Sequence, residues 1–149
     1  MIRTANAVWT GSGKDGTGAL TTPSGVLREQ PYSFKTRFES EDGRAGTNPE
    51  ELVAAAHAGC FNMALSFQLN GQGLTAERLE TTARLTMERD ATGFAITRVH
   101  LDLRASVPGA SEEQFQELAN VAKQNCPISK ALNADITLDA RLENAEVAA

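Results

Sequence analysis

TNPEELVAAAHAGCFNMALSFQL, residues Thr47 to Leu69, is the stretch that decides the fold, because it has the signals of one long helix. Asn48 is a favoured N-cap residue, and Pro49 suits the first helical position. Glu50-Glu51 place negative charge at the positive end of the helix dipole. The pair Asn70-Gly71 predicts the C-terminal stop. We therefore expect a single helix around which the other elements pack.

This predicted helix lacks a broad polar face. After Leu52 its polar side chains are those of His57, Asn62, Ser66 and Gln68. A helix that is apolar nearly all round is buried on most sides. The stretch is too polar and too short to predict a membrane span, so we expect protein to cover it and no membrane to be a partner. One sheet covers one side of such a helix, and a homodimer that packs two of them together would cover the rest.

Composition and charge predict one domain, residues 1–149, with a core of its own. Of the 149 residues, 41% are hydrophobic and 22% are charged, which is typical of globular proteins. A formal net charge of -5 and a pI near 5.0 argue against nucleic acid or an anionic membrane as a partner. The N-terminus lacks the apolar run of a signal peptide, so we expect a cytoplasmic protein.

Short strands precede the helix, and two longer strands follow it. Between residues 6 and 38, breaks rich in Gly or containing Pro separate strands predicted in NAVWT, ALTT and VLREQPYSFKTRF. Residues 79–87 alternate as a half-buried strand, and a second strand is predicted over 94–107. The inward face of the second strand switches near Thr97 and Arg98, which predicts a bulge or a strand end there.

The C-terminal third adds two helices and a strand. Ser111 and Gln114 have the pattern of a capping box. The amphipathic helix that they open has an apolar stripe of Phe115, Leu118, Ala119 and Ala122. Pro127 starts a short helix, residues 136–142 alternate as a last strand, and residues 143–149 are expected to fray. The order of elements predicts an α+β fold with antiparallel sheet covering the helices.

Cys60 and Cys126 are the residues best suited to chemistry, although a lone buried cysteine is more often an inert core residue. Cys126 precedes Pro127 and is expected near a helix N-terminus, where the dipole favours a thiolate. Together with His57 and His100, the cysteines lack the paired spacing of a zinc site. No metal is therefore expected.

Three kinds of function remain open on these residues alone. Cys60 and His57, one helical turn earlier, could form a thiol-imidazole nucleophile of hydrolase type. Cys60 and Cys126, 66 residues apart, could form a dithiol redox pair. The apolar helix could instead line a pocket in a homodimer that binds a small molecule without catalysis.

Several motifs resemble one known family. The segments that carry the resemblance are Gly46–Leu52 (GTNPEEL), Ala54–Phe61 (AAAHAGCF) and Asn125–Ser129 (NCPIS). Together they strongly resemble the OsmC/Ohr family of thiol peroxidases. The segments similar more narrowly to its OsmC branch are Tyr32–Glu39, Gly93–Thr97 and Asp135–Asp139. The resemblance spans nearly the whole chain, from Trp9 to Leu142.

The resemblance implies an intertwined α+β homodimer whose long buried central helices are wrapped by antiparallel β-sheets, and it implies reduction of hydroperoxides without a cofactor. Cys60 matches the peroxidatic cysteine of the family, and Cys126 matches the resolving one. Glu50 matches the acidic residue of the family, and Arg37 matches the arginine of the OsmC branch. Lys14 stands where the Ohr branch has an arginine, which is a departure from that branch.

These residues support a specific cycle. The guanidinium of Arg37, held by Glu50 in a bidentate pair, would lower the pKa of Cys60 below about 8.5 and stabilise the departing alkoxide. The resulting sulfenic acid would condense with Cys126 to a disulfide. An external dithiol, lipoyl-type or thioredoxin-like, must then reduce that disulfide. The apolar helix beside the thiol favours organic hydroperoxides over hydrogen peroxide.

Helix geometry predicts active sites that are shared between subunits. Glu50 and Cys60 are ten residues apart on one helix, which separates them by roughly 15 Å along its axis. No carboxylate bridges that distance. In a homodimer with antiparallel central helices, Glu50 of one chain can lie beside Cys60 of the other. We therefore expect Arg37 and Glu50 to come from one subunit, and Cys60 and Cys126 from its partner.

Overall fold

The computed structural model describes residues 1 to 144, and the chain divides into two compact units. The first unit comprises Met1–Leu52, and the second begins at Val53. The expectation that residues 1–149 form one domain stays a prediction.

The first unit is built on a three-stranded antiparallel sheet in the order β1-β2-β3. Its strands are β1 (Asn6–Thr10), β2 (Thr17–Thr21) and β3 (Gln30–Tyr32), so the strands predicted in NAVWT and ALTT are confirmed. Trp9 and Tyr32 lie on either side of Gly18, with ring centroids 5.5 Å apart. A side chain at position 18 would collide with both rings. The glycine therefore allows the two aromatic residues to pack across the middle strand.

Residues Phe34–Phe38 form a short helix, α1, where the sequence predicts a strand. The prediction is wrong because Ser33 caps a helix here. Its hydroxyl accepts a hydrogen bond from the Thr36 N–H at 3.2 Å, and the Thr36 hydroxyl accepts one from the Ser33 N–H at 2.9 Å. These reciprocal bonds satisfy the backbone locally. Arg37 therefore projects from a helix and not from a strand.

The long helix predicted from Thr47 onward is present as α2 (Pro49–Gly71). Asn48 is its N-cap, because its side-chain oxygen accepts a hydrogen bond from the Glu51 N–H at 2.7 Å. In the part of the chain that the structure describes, α2 is the one helix that is long and apolar enough to cross a membrane. This match is weak evidence for a membrane span, because the core helix of a soluble protein has the same length and composition.

Within the chain α2 is buried along one stripe and not on most sides. The buried residues are His57, Phe61, Leu65 and Leu69, which recur every four positions and so share one face. The opposite face carries Met63, 64% exposed, and Phe67, 69% exposed. For α2 to be buried all round, as expected, another protein surface must cover the face that carries Met63 and Phe67.

The end of α2 is reversed by a glycine two residues beyond the predicted stop. The helix ends at Gly71, but the residue with left-handed backbone is Gly73, whose φ is 74°. The Gly73 N–H donates to the carbonyl of Asn70 at 3.0 Å, and the Leu74 N–H donates to that of Leu69 at 2.9 Å. This is the hydrogen-bond pattern of a Schellman motif.

The second unit contains a sheet of three strands in the order β4-β5-β6. Its strands are β4 (Arg78–Asp90), β5 (Gly93–Ser106) and β6 (Asp135–Leu142). β4 and β5 form an antiparallel hairpin whose register shifts at Thr97, because Thr86 pairs with Arg98 while Met87 pairs with Ile96. The extra residue is a β-bulge at the position where the sequence predicts one.

The last strand differs from the prediction in its direction. β6 lies parallel to β5, so the expectation of purely antiparallel sheets is wrong for this pair. Between these strands the chain forms two helices, α3 (Glu112–Asn125) and α4 (Pro127–Ala131). They make a crossover connection, and such a connection returns the chain in the same direction. The predicted capping bond of α3 is present, because the Ser111 hydroxyl accepts from the Gln114 N–H at 3.2 Å.

One hydrophobic core lies within the second unit. It combines the α2 stripe, the inward face of β5 and the predicted stripe of α3. The buried residues from the last two elements are Val99, Leu101, Leu103, Ala105, Phe115, Leu118, Ala119 and Ala122. Burying each large aliphatic or aromatic side chain contributes about 1.5–3 kcal/mol, so this core holds α2, α3 and the sheet together.

Glu143 and Asn144, which follow β6, are hydrogen-bonded to the second unit. Asn144 exchanges two hydrogen bonds of 2.7 Å with the backbone of Val107, and Glu143 pairs with Arg104 at 2.9 Å. The expected fraying is wrong for these two residues. Positions 145–149 of the predicted tail lie outside the described residues.

We expect Gly73→Ala to lower the free energy of unfolding by about 1 kcal/mol, because a side chain at a positive φ is strained. Gly71→Ala is the matched control: position 71 is helical and a Cβ there meets no atom within 4 Å. That change should raise the free energy of unfolding by about 0.5 kcal/mol. Urea denaturation measures both, and equal effects would contradict the assignment of Gly73 as the reversing residue.

Candidate active site

Two cysteine thiols meet in the second unit. Cys60 lies on α2 and is partly buried, while Cys126 is fully buried at the junction of α3 and α4. The side chain of Cys126 lies close enough to interact with that of Cys60, and both are free thiols. The fold therefore brings together two cysteines that are 66 residues apart in the sequence.

The surroundings of Cys60 within this unit work against ionisation. Burial raises the pKa of the Cys60 thiol, and the Cys126 side chain raises it further. The backbone N–H of Ile128 donates a hydrogen bond to Cys60 and acts in the opposite direction. The sequence predicts a pKa lowered by Arg37, so the direction found here is the reverse. The physical reason is that a buried thiolate loses its hydration, while the neighbouring thiol carries no positive charge.

His57 occupies a different position from that of a base for Cys60. It is fully buried, and its Nε2 lies 2.7 Å from the hydroxyl oxygen of Ser129. Burial lowers the pKa of His57, so the imidazole is neutral at pH 7. Its Nδ1 is buried without a hydrogen-bond partner among the described residues. Nε2, the nitrogen that makes a hydrogen bond, therefore contacts a residue of α4 and not the Cys60 thiol. This arrangement disfavours a thiol-imidazole nucleophile.

Ser129, which contacts His57, is a residue to which the sequence alone assigned no role. It belongs to the NCPIS segment, three residues after Cys126, just as His57 stands three residues before Cys60. Three residues are about one helical turn. The matching spacing on two helices is the signal by which the pair could have been found, provided that the two cysteines were already assumed to meet.

Arg37 and Glu50 form an ion pair in the first unit. The Arg37 Nε donates to both carboxylate oxygens of Glu50, at 3.0 and 3.2 Å. Its Nη2 donates to Oε1 at 2.5 Å, so two guanidinium nitrogens engage the carboxylate. The guanidinium also lies 4.9 Å from the centroid of the Phe38 ring. The predicted bidentate pair is present, and it fixes the plane of the guanidinium.

A cavity of about 250 Å³ opens beside Arg37 within the first unit. Aromatic side chains dominate its walls. The lining residues are Trp9, Gly13, Tyr32, Ser33, Phe34, Arg37 and Phe38. From the loop that contains Lys14, it is Gly13 that lines the cavity. The first unit therefore presents a cation at the wall of an apolar cavity.

The four predicted site residues thus form two pairs, each within one unit. Arg37 pairs with Glu50 in the first unit, and Cys60 with Cys126 in the second. Among residues 1 to 144 no three His, Cys, Asp or Glu side chains are grouped to hold a metal ion. The arrangement is that of an α+β dithiol protein, with one cysteine on a long helix and the other at the start of a short one.

Comparison with known proteins narrows this class to one family. A family model described as OsmC-like protein matches residues 40–141. The chain is 47% identical over 138 residues to Peroxiredoxin OsmC of Escherichia coli strain K12, covering 93% of this chain and 94% of that protein. The chain belongs to the OsmC-like family.

Solved structures confirm the fold. The crystal structure of the organic hydroperoxide resistance protein OhrB of Bacillus subtilis matches with a TM-score of 0.67 at 30% identity, covering 93% of this chain and 98% of that one. An organic hydroperoxide resistance protein OsmC from Legionella pneumophila matches with a TM-score of 0.70 at 26% identity, covering 95% and 99%. The predicted OsmC-like α+β fold is confirmed. Membership of this family, together with the stripe of α2 that packs on protein, supports a soluble protein.

The lowered pKa of His57 predicts how stability depends on pH. The folded state keeps the imidazole neutral, while an unfolded histidine takes up a proton near pH 6.5. Below that pH the unfolded chain binds the extra proton, so we expect the free energy of unfolding to fall as the pH drops from about 6.5 to about 5. Above about pH 6.5 the histidine is neutral in the folded and in the unfolded chain, so it no longer lowers the free energy of unfolding.

His57→Gln is the control for this prediction, because it keeps a polar side chain but does not titrate. Urea denaturation of both proteins at several pH values between about 7 and about 5 gives the two slopes. The wild type should lose more stability than the variant over this range. Equal slopes would contradict a neutral, buried His57.

Proposed function

We propose that this chain is a peroxidase that reduces hydroperoxides with Cys60 as the attacking thiolate and Cys126 as the resolving thiol. The observation that carries the proposal is the contact between the thiols of Cys60 and Cys126. The similarity to proteins named Peroxiredoxin OsmC and organic hydroperoxide resistance protein supports it. A binding protein without catalysis has no need of such a contact.

The cycle has three steps that balance. The Cys60 thiolate attacks one peroxide oxygen, the O–O bond breaks, and the departing alkoxide takes a proton to become an alcohol. Cys126 then attacks the sulfenic acid of Cys60, forming the disulfide and releasing water. An external dithiol reduces the disulfide and regenerates both thiols. We propose a lipoyl-type or thioredoxin-like dithiol as the reductant, in keeping with a cytoplasmic location.

Activation of Cys60 calls for a cation, because burial and Cys126 raise the pKa of its thiol. Arg37 is our candidate, with its orientation fixed by Glu50. A guanidinium near the sulfur would favour the thiolate and would stabilise the developing alkoxide. The aromatic cavity beside Arg37 supports organic hydroperoxides as the preferred substrates, because its walls suit an apolar substituent.

We further propose a homodimer in which each active site takes Arg37 and Glu50 from one chain and Cys60 and Cys126 from the other. Two observations support this. α2 is one unbroken helix, and ten residues of helix separate Glu50 from Cys60 by roughly 15 Å along the axis. The apolar face of α2 that carries Met63 and Phe67 is exposed in the single chain, and a second copy of α2, packed antiparallel, would cover it. In this dimer residues 1–149 would function as one domain.

Treating the reduced protein with one equivalent of an organic hydroperoxide tests the peroxidase cycle. We expect both thiols to be lost and dithiothreitol to restore them, because sulfenic acid at Cys60 condenses with Cys126. Cumene hydroperoxide is the oxidant, and a thiol-reactive dye added in denaturing buffer, which exposes the buried Cys126, provides the measurement. In Cys60→Ser, the matched control, the Cys126 thiol should stay reactive. Two reactive thiols in the treated wild type would exclude the cycle and favour a binding protein.

A mixture of two inactive variants tests the shared site. One chain carries Arg37→Ala with Glu50→Ala, and the other carries Cys60→Ser. After refolding together, each mixed dimer should regain one of its two sites, because the intact cysteine of one chain meets the intact arginine of the other. The measurement is peroxide consumption, and each variant refolded alone is the control. A site built within one chain would restore no activity.

A further inference from the structure

Two side-chain contacts connect α2 to α4 and to Cys126, the residue that precedes α4, and they lie about one helical turn apart. One is the contact between the thiols of Cys60 and Cys126. The other joins the Nε2 of His57 to the hydroxyl of Ser129 at 2.7 Å. Because His57 precedes Cys60 by three residues and Ser129 follows Cys126 by three, the second contact constrains the geometry of the first.

α4 has little else to fix its position. It is a five-residue helix without a fully buried side chain, and a helix of that length is unstable by itself. Ile128 and the following Leu132 pack only partly against the core. Cys126 itself is buried in the core at the end of α3, so the polar contacts of α4 adjust how its thiol lies against Cys60 and do not set its position alone.

His57 depends on Ser129 for its side-chain hydrogen bond. The imidazole is fully buried and its Nδ1 already has no hydrogen-bond partner in the described part of the chain. Loss of the Ser129 hydroxyl would leave both ring nitrogens buried without a partner, and such groups are strongly disfavoured. Breaking the hydrogen bond between His57 and Ser129 is therefore costly, and the bond fixes the position of α4 against α2.

We propose that His57 and Ser129 are positioning residues, which hold Cys126 against Cys60 and so promote formation of the disulfide. This inference rests on the proposed peroxidase function. In the resolving step the Cys126 sulfur attacks the Cys60 sulfur, the S–O bond of the sulfenic acid breaks, and the released hydroxide leaves with the thiol proton as water. The hydrogen bond of His57 and Ser129 joins these two side chains to each other, and α4 reaches Cys60 through the Ile128 N–H. We therefore expect oxidation of Cys60, the first step, to depend on the pair much less than the resolving step does.

Ser129→Ala separates the two steps in rapid-mixing experiments with cumene hydroperoxide. We expect oxidation of Cys60 at a rate within about twofold of wild type, and disulfide formation slowed by about tenfold or more, because displacing reacting groups by about 1 Å can cost a hundredfold. Excess peroxide should then convert more Cys60 to sulfinic acid, which mass spectrometry detects. Ser129→Thr keeps the hydroxyl and should recover most of the rate. His57→Gln keeps a nitrogen near the position of Nε2 and should lie between them.

Thr81→Val is the matched control. It removes another side-chain hydrogen bond of α2, the 2.6 Å bond from the Thr81 hydroxyl to Asn62, which ties α2 to β4 and not to α4. A general loosening of α2 would slow disulfide formation in Thr81→Val as much as in Ser129→Ala, and that result would overturn the proposal. Disulfide formation at the wild-type rate in Ser129→Ala would overturn it as well.

A second measurement makes the outcome independent of peroxide chemistry. In glutathione buffers, glutathione disulfide oxidises the two thiols to the Cys60–Cys126 disulfide and yields two glutathione thiols. The equilibrium constant reports the effective concentration of one thiol at the other. Ser129→Ala should lower it by about tenfold or more, and Thr81→Val should leave it unchanged. If the wild type forms the disulfide with glutathione but does not react with peroxide, the proposed function fails while the positioning role is still decided by the variants.

Discussion

The burial of one stripe of α2 in the core of the second unit is the constraint on which the candidate site depends. Phe61, Leu65 and Leu69 are fully buried, and each such side chain contributes about 1.5–3 kcal/mol to stability. Their packing sets the rotation of the helix about its axis. Cys60, next to Phe61, therefore lies at the margin of the buried stripe, where it meets Cys126 and remains partly accessible.

That placement has opposite consequences for the two halves of the chemistry. A contact between two thiols favours a disulfide, because the sulfurs are already close together. The partial burial of Cys60 raises the pKa of its thiol and so disfavours the thiolate that must react first. The chain keeps its well-oriented cation in the other unit, where Glu50 and the aromatic cavity surround Arg37. In a dimer with shared sites, Arg37 of one chain would lie beside Cys60 of the other.

The buried polar contact between His57 and Ser129 shows how a short element is fixed without a large apolar surface. α4 contributes no fully buried side chain, so directional bonds carry much of the specificity of its position. A neutral imidazole suits this role, because burial already favours its uncharged form. A lysine or an arginine at the same place would carry a charge into the core, where it would need a carboxylate partner.

Sequence by itself determined the features that local chemistry specifies. The N-cap of α2 at Asn48, the stripe of α3 and the bulge at Thr97 follow from side-chain period and from bonds between residues a few positions apart. The helix at Phe34–Phe38 was missed, although its cause is also local, because Ser33 and Thr36 form a capping box without the usual Glu or Gln. The resemblance of its motifs to one family also indicated that the two cysteines act together.

Only the tertiary structure decided what depends on distant partners. The parallel direction of β6 and the bond from His57 to Ser129 each depend on how the elements between them pack. The direction of the pKa shift at Cys60 belongs to the same group, because hydration and neighbouring dipoles are properties of a folded environment. The physical reason is that caps and periodicity act within a few residues of the chain, whereas burial and long-range contacts exist only after the chain has folded.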